Sequence, residues 1–251
     1  MGKHGFGIDI GGSGIKGAPV DLRRGKLADD RFRVPTPQPA TPDAVAATVR
    51  EVLDHFKWDG VFGCTFPAVV QHGLVRTAAN VDPAWIGTDA HKLLGKATGR
   101  DALVVNDADA AGLAEVRFGA AKDRDGVILV STLGTGIGSA LVMDGRLVPN
   151  TELGHVEIDG HDAESRAADS AREREDLSWK NWAARLTRYF QHMEALFWPD
   201  LIVVGGGVSK QADQWLHLVD VRTEMVPAKL LNNAGIVGAA VLAAEQSGGK
   251  C

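Results

Sequence analysis

Cysteine is almost missing from this chain: among 251 residues there are two, Cys64 and Cys251. Set that far apart, they support neither a disulfide framework nor a thiolate metal cluster. No apolar run reaches membrane-spanning length. The opening MGKHGFGIDI lacks the long apolar core of a signal peptide, so a cytoplasmic protein with no membrane partner is expected. The run G-x-x-x-x-G-K-[ST] occurs nowhere, which excludes an ordinary P-loop. Positive charge is not in excess: 27 Lys and Arg face 32 Asp and Glu, a formal net charge of −5. That balance argues against a nucleic-acid partner, while leaving room for a local basic groove that meets an anionic substrate. With 45% hydrophobic and 24% charged residues, the chain has the make-up of a soluble globular protein of one large domain or two small ones.

What the chain does have is glycine near its start. In GFGIDIGGSGIKGAPVD, Gly7, Gly11, Gly12, Gly14 and Gly17 surround a short apolar strand, Phe6–Ile10, that holds one carboxylate, Asp9. Glycine lets backbone approach a ligand closely. The loop Gly11-Gly12-Ser13-Gly14 can therefore aim several N–H groups at phosphate oxygens. Asp9 is placed to hold magnesium through water, since that ion prefers oxygen ligands and keeps its waters. Gly12–Gly17 also fits G-x-G-x-x-G, but a dinucleotide-binding turn opens a helix. Here Pro19 follows, and Asp21-Leu22-Arg23-Arg24-Gly25 reads as a turn, which is hairpin chemistry. A glycine-rich hairpin without a ligand is the other reading of these residues.

Strands and helices alternate along the rest of the chain, with hairpins near the start and the middle, which predicts an α/β fold with mixed sheets. Asp30–Val34 extends the opening sheet. Thr41 and Pro42 predict a helix start, and Val45, Val49, Val52, Leu53 and Phe56 recur at helical spacing. Val61–Phe66, Gly73–Ala79, Ala102–Asn106, Val127–Ser131 and Leu201–Val204 read as extended segments. Ala108–Phe118 reads as a helix, Asp162–Phe197 as mainly helical, and Ala234–Gln246 as a small-residue helix. Ser139–Met143 and Arg146–Val148 pair across Asp144-Gly145, a type I′ signal. Val130–Gly136 echoes Ile8–Gly14: strand, glycine turn, returning strand. Two such hairpins suggest two related lobes facing one ligand. They are drawn at 1–106 plus 234–251 for the small lobe and 107–233 for the large one.

Four further groups carry candidate chemistry. Asn106-Asp107 lies where a strand gives way to a helix, a ligand-facing position in α/β sheets. Asp107 there is either a general base or a helix cap. Gly134, Thr135 and Gly136, with Thr132, form a second glycine turn with hydroxyl donors. Glu152 and His155 of Thr-Glu-Leu-Gly-His suit sugar hydroxyls; a histidine here can also bind metal, but no cysteine lies nearby to complete a zinc site. Gly205-Gly206-Gly207 ends a strand before an expected helix start, which either receives a phosphate or nucleotide or simply makes a tight connection.

The order of these pieces is more specific than any one of them. Asp-x-Gly-Gly-[ST]-x-x-Lys, then Asn-Asp, Leu-Gly-Thr-Gly-x-Gly, Glu-x-Gly-His and Gly-Gly-Gly resembles the ROK family of sugar kinases and repressors, within the actin-like ATPase (ribonuclease H-like) fold. The likeness runs from Phe6 to about Glu245, and includes Cys64–Pro67, Gly73–Asn80 and the closing segment Ile236–Ala240. Where zinc-binding members carry C-x-C-G-x-x-G-C-x-E, this chain has the shorter, cysteine-free Glu157–Glu164, and Glu164 matches the glutamate that ends that motif. A metal-free fold apart from magnesium is expected. Only Met1–Gly5 precede the first loop, so no DNA-reading domain is expected.

The resemblance implies transfer of a terminal phosphoryl group to the 6-hydroxyl of glucose by a homodimer, from inorganic polyphosphate with ATP as an optional second donor; a strictly ATP-dependent glucokinase or glucomannokinase is the alternative. Asp107 would be the base, with Asn106 orienting the sugar. Glu152, His155 and Glu164 would bind the other hydroxyls, and Thr65, Phe66 and Pro67 would line the same wall. Gly11, Gly12, Ser13, Gly14 and Lys16, with Thr132, Gly134, Thr135, Gly136 and Gly205–Gly207, would hold the donor, and Asp9 the Mg2+. Arg172, Arg174, Lys180, Arg185 and Arg188 offer a basic groove for a polyanion. Since Glu173, Glu175 and Asp176 interleave with them, a solvated helix face is the alternative. A non-enzymatic sugar sensor and an assembly ATPase are the contrasting functions on the same fold.

Overall fold

Side chains alternate across a strand, and the first strand uses that alternation unevenly. In β1 (His4–Ile10), Phe6 and Ile8 are fully buried on one face, while Gly5 and Gly7 leave the other face bare. The computed structural model, which describes residues 3–78 and 81–248, shows what each face is for.

β1 pairs antiparallel with β2 (Ile15–Asp21), which carries β3 (Lys26–Leu27) and β4 (Phe32–Val34). After α1 (Pro42–His55), β5 (Phe62–Phe66) lies parallel to β1. A small hairpin of β6 (Val70–Gln71) and β7 (Leu74–Val75) and then α2 (Ala90–Thr98) lead to β8 (Ala102–Asn106), parallel to β5. The sheet order is β3-β2-β1-β5-β8, with β4 on β2.

α1 forms because Thr41 accepts from the Ala44 N–H and Pro42 takes the first helical position. Its buried stripe Val45, Val49, Val52 and Leu53 packs with Phe6, Ile8, Ile15, Phe62 and Phe66 into one core. On the bare face lies the closing helix, Ala234–Gly248. A Cβ at Gly7 would collide with the Ile236 carbonyl, and one at Gly63 with the Ala239 carbonyl. Gly238 of the same helix lies against the Ala110 carbonyl of α3 (Asp107–Phe118). Three glycines thus let backbone meet backbone on both sides of one helix.

The second sheet repeats the plan. β9 (Val127–Leu133) turns back into β10 (Ile137–Met143), which carries β11 (Arg146–Val148). Asp144 and Gly145 both have positive φ, 48° and 74°, as a type I′ turn requires. β12 (Glu157–Ile158) and β13 (His161–Asp162) form a small hairpin, followed by α4 (Ala163–Ala167), α5 (Asp169–Arg174) and α6 (Trp179–Phe197). β14 (Leu201–Gly205) lies parallel to β9, and β15 (Met225–Pro227) parallel to β14; α7 (Ala212–Trp215) comes between them. The echo between Ile8–Gly14 and Val130–Gly136 is therefore a repeat of topology: an antiparallel hairpin with two parallel strands added on its first strand.

The chain divides into two compact units, one up to Ala114 and again from Asn233, the other Glu115–Asn232. The boundary falls inside α3, later than the lobe edge drawn at 106/107, because Gly238 holds the first turns of α3 to the closing helix. Asp107 accordingly belongs to the first unit. In the second unit the buried Glu115 carboxylate accepts from the N–H groups of Ala120, Lys229 and Leu230.

Three expectations change. Asp162–Phe197 is broken into three helices, since Ala168 is extended and Ser178 caps a new start for α6. The helix expected from Gly207 is a tight 3-10 turn, Gly207–Gln211, ahead of the short α7. Of the extended run Gly73–Ala79, only Leu74–Val75 is strand, and Ala79, Asn80 and Cys251 lie outside the described residues. α2, capped by Asp89 and ended by Gly99 at φ 70°, was not anticipated. Among the described residues no helix is long and apolar enough to cross a membrane.

Gly63→Ala should destabilise the protein by about 1–3 kcal/mol, because backbone cannot yield as a side chain can. Gly12→Ala, with open space around it, should stay within about 0.5 kcal/mol. Chemical denaturation of both variants checks this; equal midpoints would mean that the helix contact is not tight.

Candidate active site

In the first unit, the candidate residues other than Lys16 sit at the C-terminal end of a strand or directly after it. β1, β5 and β8 run parallel and end at Ile10, Phe66 and Asn106. Their C-terminal edge carries Gly11–Gly14, Pro67 and Asp107, the usual ligand side of such a sheet. A cavity of about 290 Å³ lies there, lined by Gly11, Gly12, Thr36, Gln38, Phe66 and Pro67. The first glycine loop and the expected sugar wall thus share one concavity.

The loop is held at both ends. Gly11 N–H donates to the Gly14 carbonyl at 3.2 Å, and the Thr36 hydroxyl donates to the Gly11 carbonyl. Arg33 donates from Nη2 to the Ser13 carbonyl at 2.7 Å. Neither Thr36 nor Arg33 was anticipated: both come from the proline-rich connector and the strand before it, with no local motif. Asp9 accepts from Thr65 Oγ1 at 2.7 Å and pairs with Lys16 Nζ at 2.9 Å. Lys16 is therefore not a loop residue but the cross-strand neighbour of Asp9 in β2.

The residue before Asp107 supplies the main cap of α3. Asn106 Oδ1 accepts from the N–H groups of Ala108 (2.8 Å) and Asp109 (3.1 Å), and its Nδ2 donates to the Ala68 carbonyl. Asn106 is the buried cap. Asp107, exposed at the first position of α3, also accepts from Ala108 N–H at 2.8 Å.

The second unit gathers the remaining candidates around one residue, Ile137. Its N–H donates to Glu164 Oε2 at 3.0 Å, and its carbonyl lies where a Cβ on Gly154 would go. That close approach is why glycine stands between Glu152 and His155. The turn Gly134–Gly136 is closed by Gly134 N–H to the Gly136 carbonyl at 3.0 Å. Ser170 steadies it, donating from its hydroxyl to Thr135 and from its N–H to Gly134. Gly205 pairs with Thr132, and Gly206, at φ 85°, passes against the Leu133 backbone. The third glycine segment therefore adjoins the second turn.

Three carboxylates surround His155. Nδ1 lies 3.0 Å from Asp162 Oδ2 and 3.9 Å from Glu164 Oε1, and Nε2 lies 3.8 Å from Glu152 Oε2. The Asp162 hydrogen bond, reinforced by the other two charges, raises the imidazole above its ordinary 6.5. Asp162 was not anticipated as a partner; it comes into reach only through the β12–β13 hairpin. His155, Asp162 and Glu164 are also the residues that could offer a metal three ligand atoms, all within 4.8 Å of one another.

The basic segment is answered by acids. Arg188 holds both oxygens of Asp159, and Arg185 pairs with Glu175, whose carboxyl is pulled down to about 2. Arg174 also reaches Glu175, while Arg172 pairs with Asp169 and stacks on Trp179. These pairings fit the solvated face rather than an open groove.

Repeated hairpin-plus-parallel-strand units, each with a glycine turn at its ligand edge, define the actin- and hexokinase-like class of α/β folds. The chain belongs to the ROK family, whose model matches residues 5–167. It is 54% identical over 240 residues to the polyphosphate glucokinase of Mycobacterium tuberculosis (strain CDC 1551 / Oshkosh), covering 95% of this chain and 91% of that one. The crystal structure of inorganic polyphosphate/ATP-glucomannokinase from Arthrobacter sp. strain KM superposes with a TM-score of 0.92 at 55% identity, covering 98% of this chain and all of the other. A ROK family glucokinase from Streptomyces griseus, at 22% identity, shares the fold with a TM-score of 0.82, over 96% and 99% of the two chains.

A raised histidine stabilises the fold fully below about 6.5, its unfolded value, and that contribution is lost as pH rises through the folded value. The His155 ring signals should titrate above 6.5 by NMR, and Asp162→Asn should lower that midpoint. An unmoved midpoint in the variant would show that Asp162 does not set the charge.

Proposed function

We propose that this chain transfers the terminal phosphoryl group of inorganic polyphosphate to the 6-hydroxyl of glucose, with ATP as a second donor. The observation that carries the reading is the division of labour at 106–107: Asn106 caps α3, and the Asp107 carboxylate stands exposed at the sheet edge that also bears the glycine loop. The named activities of the mycobacterial and Arthrobacter relatives support the same donor and acceptor.

Phosphoryl transfer asks mainly for positioning and charge neutralisation. Asp107 accepts the 6-hydroxyl proton as that oxygen bonds to the terminal phosphorus. The bridging P–O bond breaks, and the shortened donor leaves with its electron pair. Asn106 holds the start of α3 to the sugar wall through Ala68, and Phe66 and Pro67 line the acceptor side. Glu152, His155 and Glu164 bind the remaining hydroxyls. Gly11–Gly14 and Lys16 are the first unit's candidates for holding donor phosphates, and Thr132, Gly134–Gly136 and Gly205–Gly207 are the second unit's.

Both Asp9 oxygens are engaged by Thr65 and Lys16, and each keeps a further lone pair. That fits magnesium held through water rather than directly. Bound there, magnesium would offset negative charge on the donor's terminal oxygens. Zinc is not part of the proposal, because the sequence has no cysteine near His155 to complete a thiolate site of the kind structural zinc uses.

Asp107→Asn keeps shape and removes basicity, and should lower kcat by about 10²–10⁴ with the glucose KM much less changed. Near-normal turnover would reject the base. Elemental analysis of the purified protein should show no stoichiometric zinc. One equivalent, with unfolding on chelation, would make His155, Asp162 and Glu164 a metal site instead.

A further inference from the structure

Four neighbouring strands place one polar residue each on a single row of the first sheet. In register, Thr65 of β5 lies beside Asp9 of β1, Asp9 opposite Lys16 of β2, and Lys16 opposite Arg33 of β4. Residues paired in this way share a face. The inner three satisfy one another, for Thr65 donates to Asp9 and Lys16 neutralises it.

Arg33 is left over. Its Nη2 donates to the Ser13 carbonyl at 2.7 Å, and its guanidinium lies where a Cβ on Gly14 would go. No carboxylate pairs with it among the described residues. Two cations directly opposite on adjacent strands repel, and Asp9 answers only Lys16. In the loop beside Arg33, the N–H groups of Gly12, Ser13 and Gly14 have no acceptor among the described residues, and the space around Gly12 is open. An uncompensated guanidinium next to several unpaired N–H groups suits an anion with many oxygens. The planar fork of arginine matches a phosphate group in particular.

We propose that Arg33 is a donor-binding residue, its guanidinium gripping non-bridging oxygens of a condensed phosphate chain that lies on the Gly11–Gly14 loop. The inference rests on the phosphoryl-transfer reading and adds to it a residue outside the Asp9–Lys16 motif. It also moves the basic contact for the polyanion from α5 and α6, where acids answer Arg172, Arg174, Arg185 and Arg188, to the first sheet. The Ser13 carbonyl keeps the guanidinium in place before the donor arrives, so little side-chain freedom is lost on binding.

The test is titration calorimetry of inorganic tripolyphosphate, and separately of ATP, into the native chain, Arg33→Gln and Arg33→Lys. Glutamine retains a donor for Ser13 but no charge. It should weaken tripolyphosphate binding about tenfold, the worth of one charge-assisted bond to phosphate. ATP, which shares the condensed phosphates, should weaken in parallel, and lysine should recover most of the loss. Added salt should shrink the gap between native and glutamine forms, and the glucose KM should not move. Native affinity in Arg33→Gln overturns the proposal. So does an equal loss in both variants with a lowered Tm, which would make Arg33 a support of the loop alone. A loss confined to ATP overturns it as well, by placing Arg33 at the nucleoside. The reaction itself fails separately: a native chain that binds tripolyphosphate yet forms no glucose 6-phosphate from polyphosphate or ATP rejects the kinase and leaves the binding result standing.

Discussion

The first unit depends on backbone meeting backbone without side chains between. Gly7 and Gly63 admit the closing helix to the sheet, and Gly238 admits α3 to the closing helix. Interiors are close-packed, so a single added methyl at one of these positions must displace a main chain. The same contact orders the ligand edge. Gly235 lies just above Thr65 and Asp9, which sets the helix N-terminus over the one carboxylate in β1, where the helix dipole favours negative charge. α3, with Asp107 at its start, is registered against the sheet through the other side of that helix.

The second unit has the same strand plan but a different way of building its edge. There the organising atom pair is the backbone of Ile137, shared by Glu164 on its N–H and by Gly154 against its carbonyl. Sugar-motif residues and the second glycine turn are thereby tied to one point of β10. Ser170 and the Ser139–Thr151 contacts brace the segments on either side. The motif Glu-x-Gly-His is thus a packing statement as much as a chemical one.

Charge in this protein is informative by its pairing rather than its sequence position. Five basic residues between 172 and 188 look like a polyanion groove, and the fold places acids against four of them. One arginine in a short strand, Arg33, has no counter-charge among the described residues and lies beside loop N–H groups that have no acceptor among them. His155 shows the opposite case, a ring placed among three carboxylates of which Asp162 is the nearest.

Much of the fold was legible from local chemistry. Thr41-Pro42 announced α1, Asp144-Gly145 announced the β10–β11 turn, Pro19 ruled out a crossover helix after the first loop, and motif order pointed to the family. These features act over a few residues, where covalent geometry and hydrogen bonding suffice. α2 was also within reach, since Asp89 and Gly99 bracket it, but its apolar stripe is short. What the tertiary structure alone decided is which groups meet. That Asn106 is anchored to the Ala68 carbonyl, that Asp162 holds His155, and that Lys16 answers Asp9 while Arg33 answers no acid among the described residues depend on which strands lie side by side or on the β12–β13 hairpin. Register is set by cooperative packing of whole faces, and no stretch of sequence contains that information by itself.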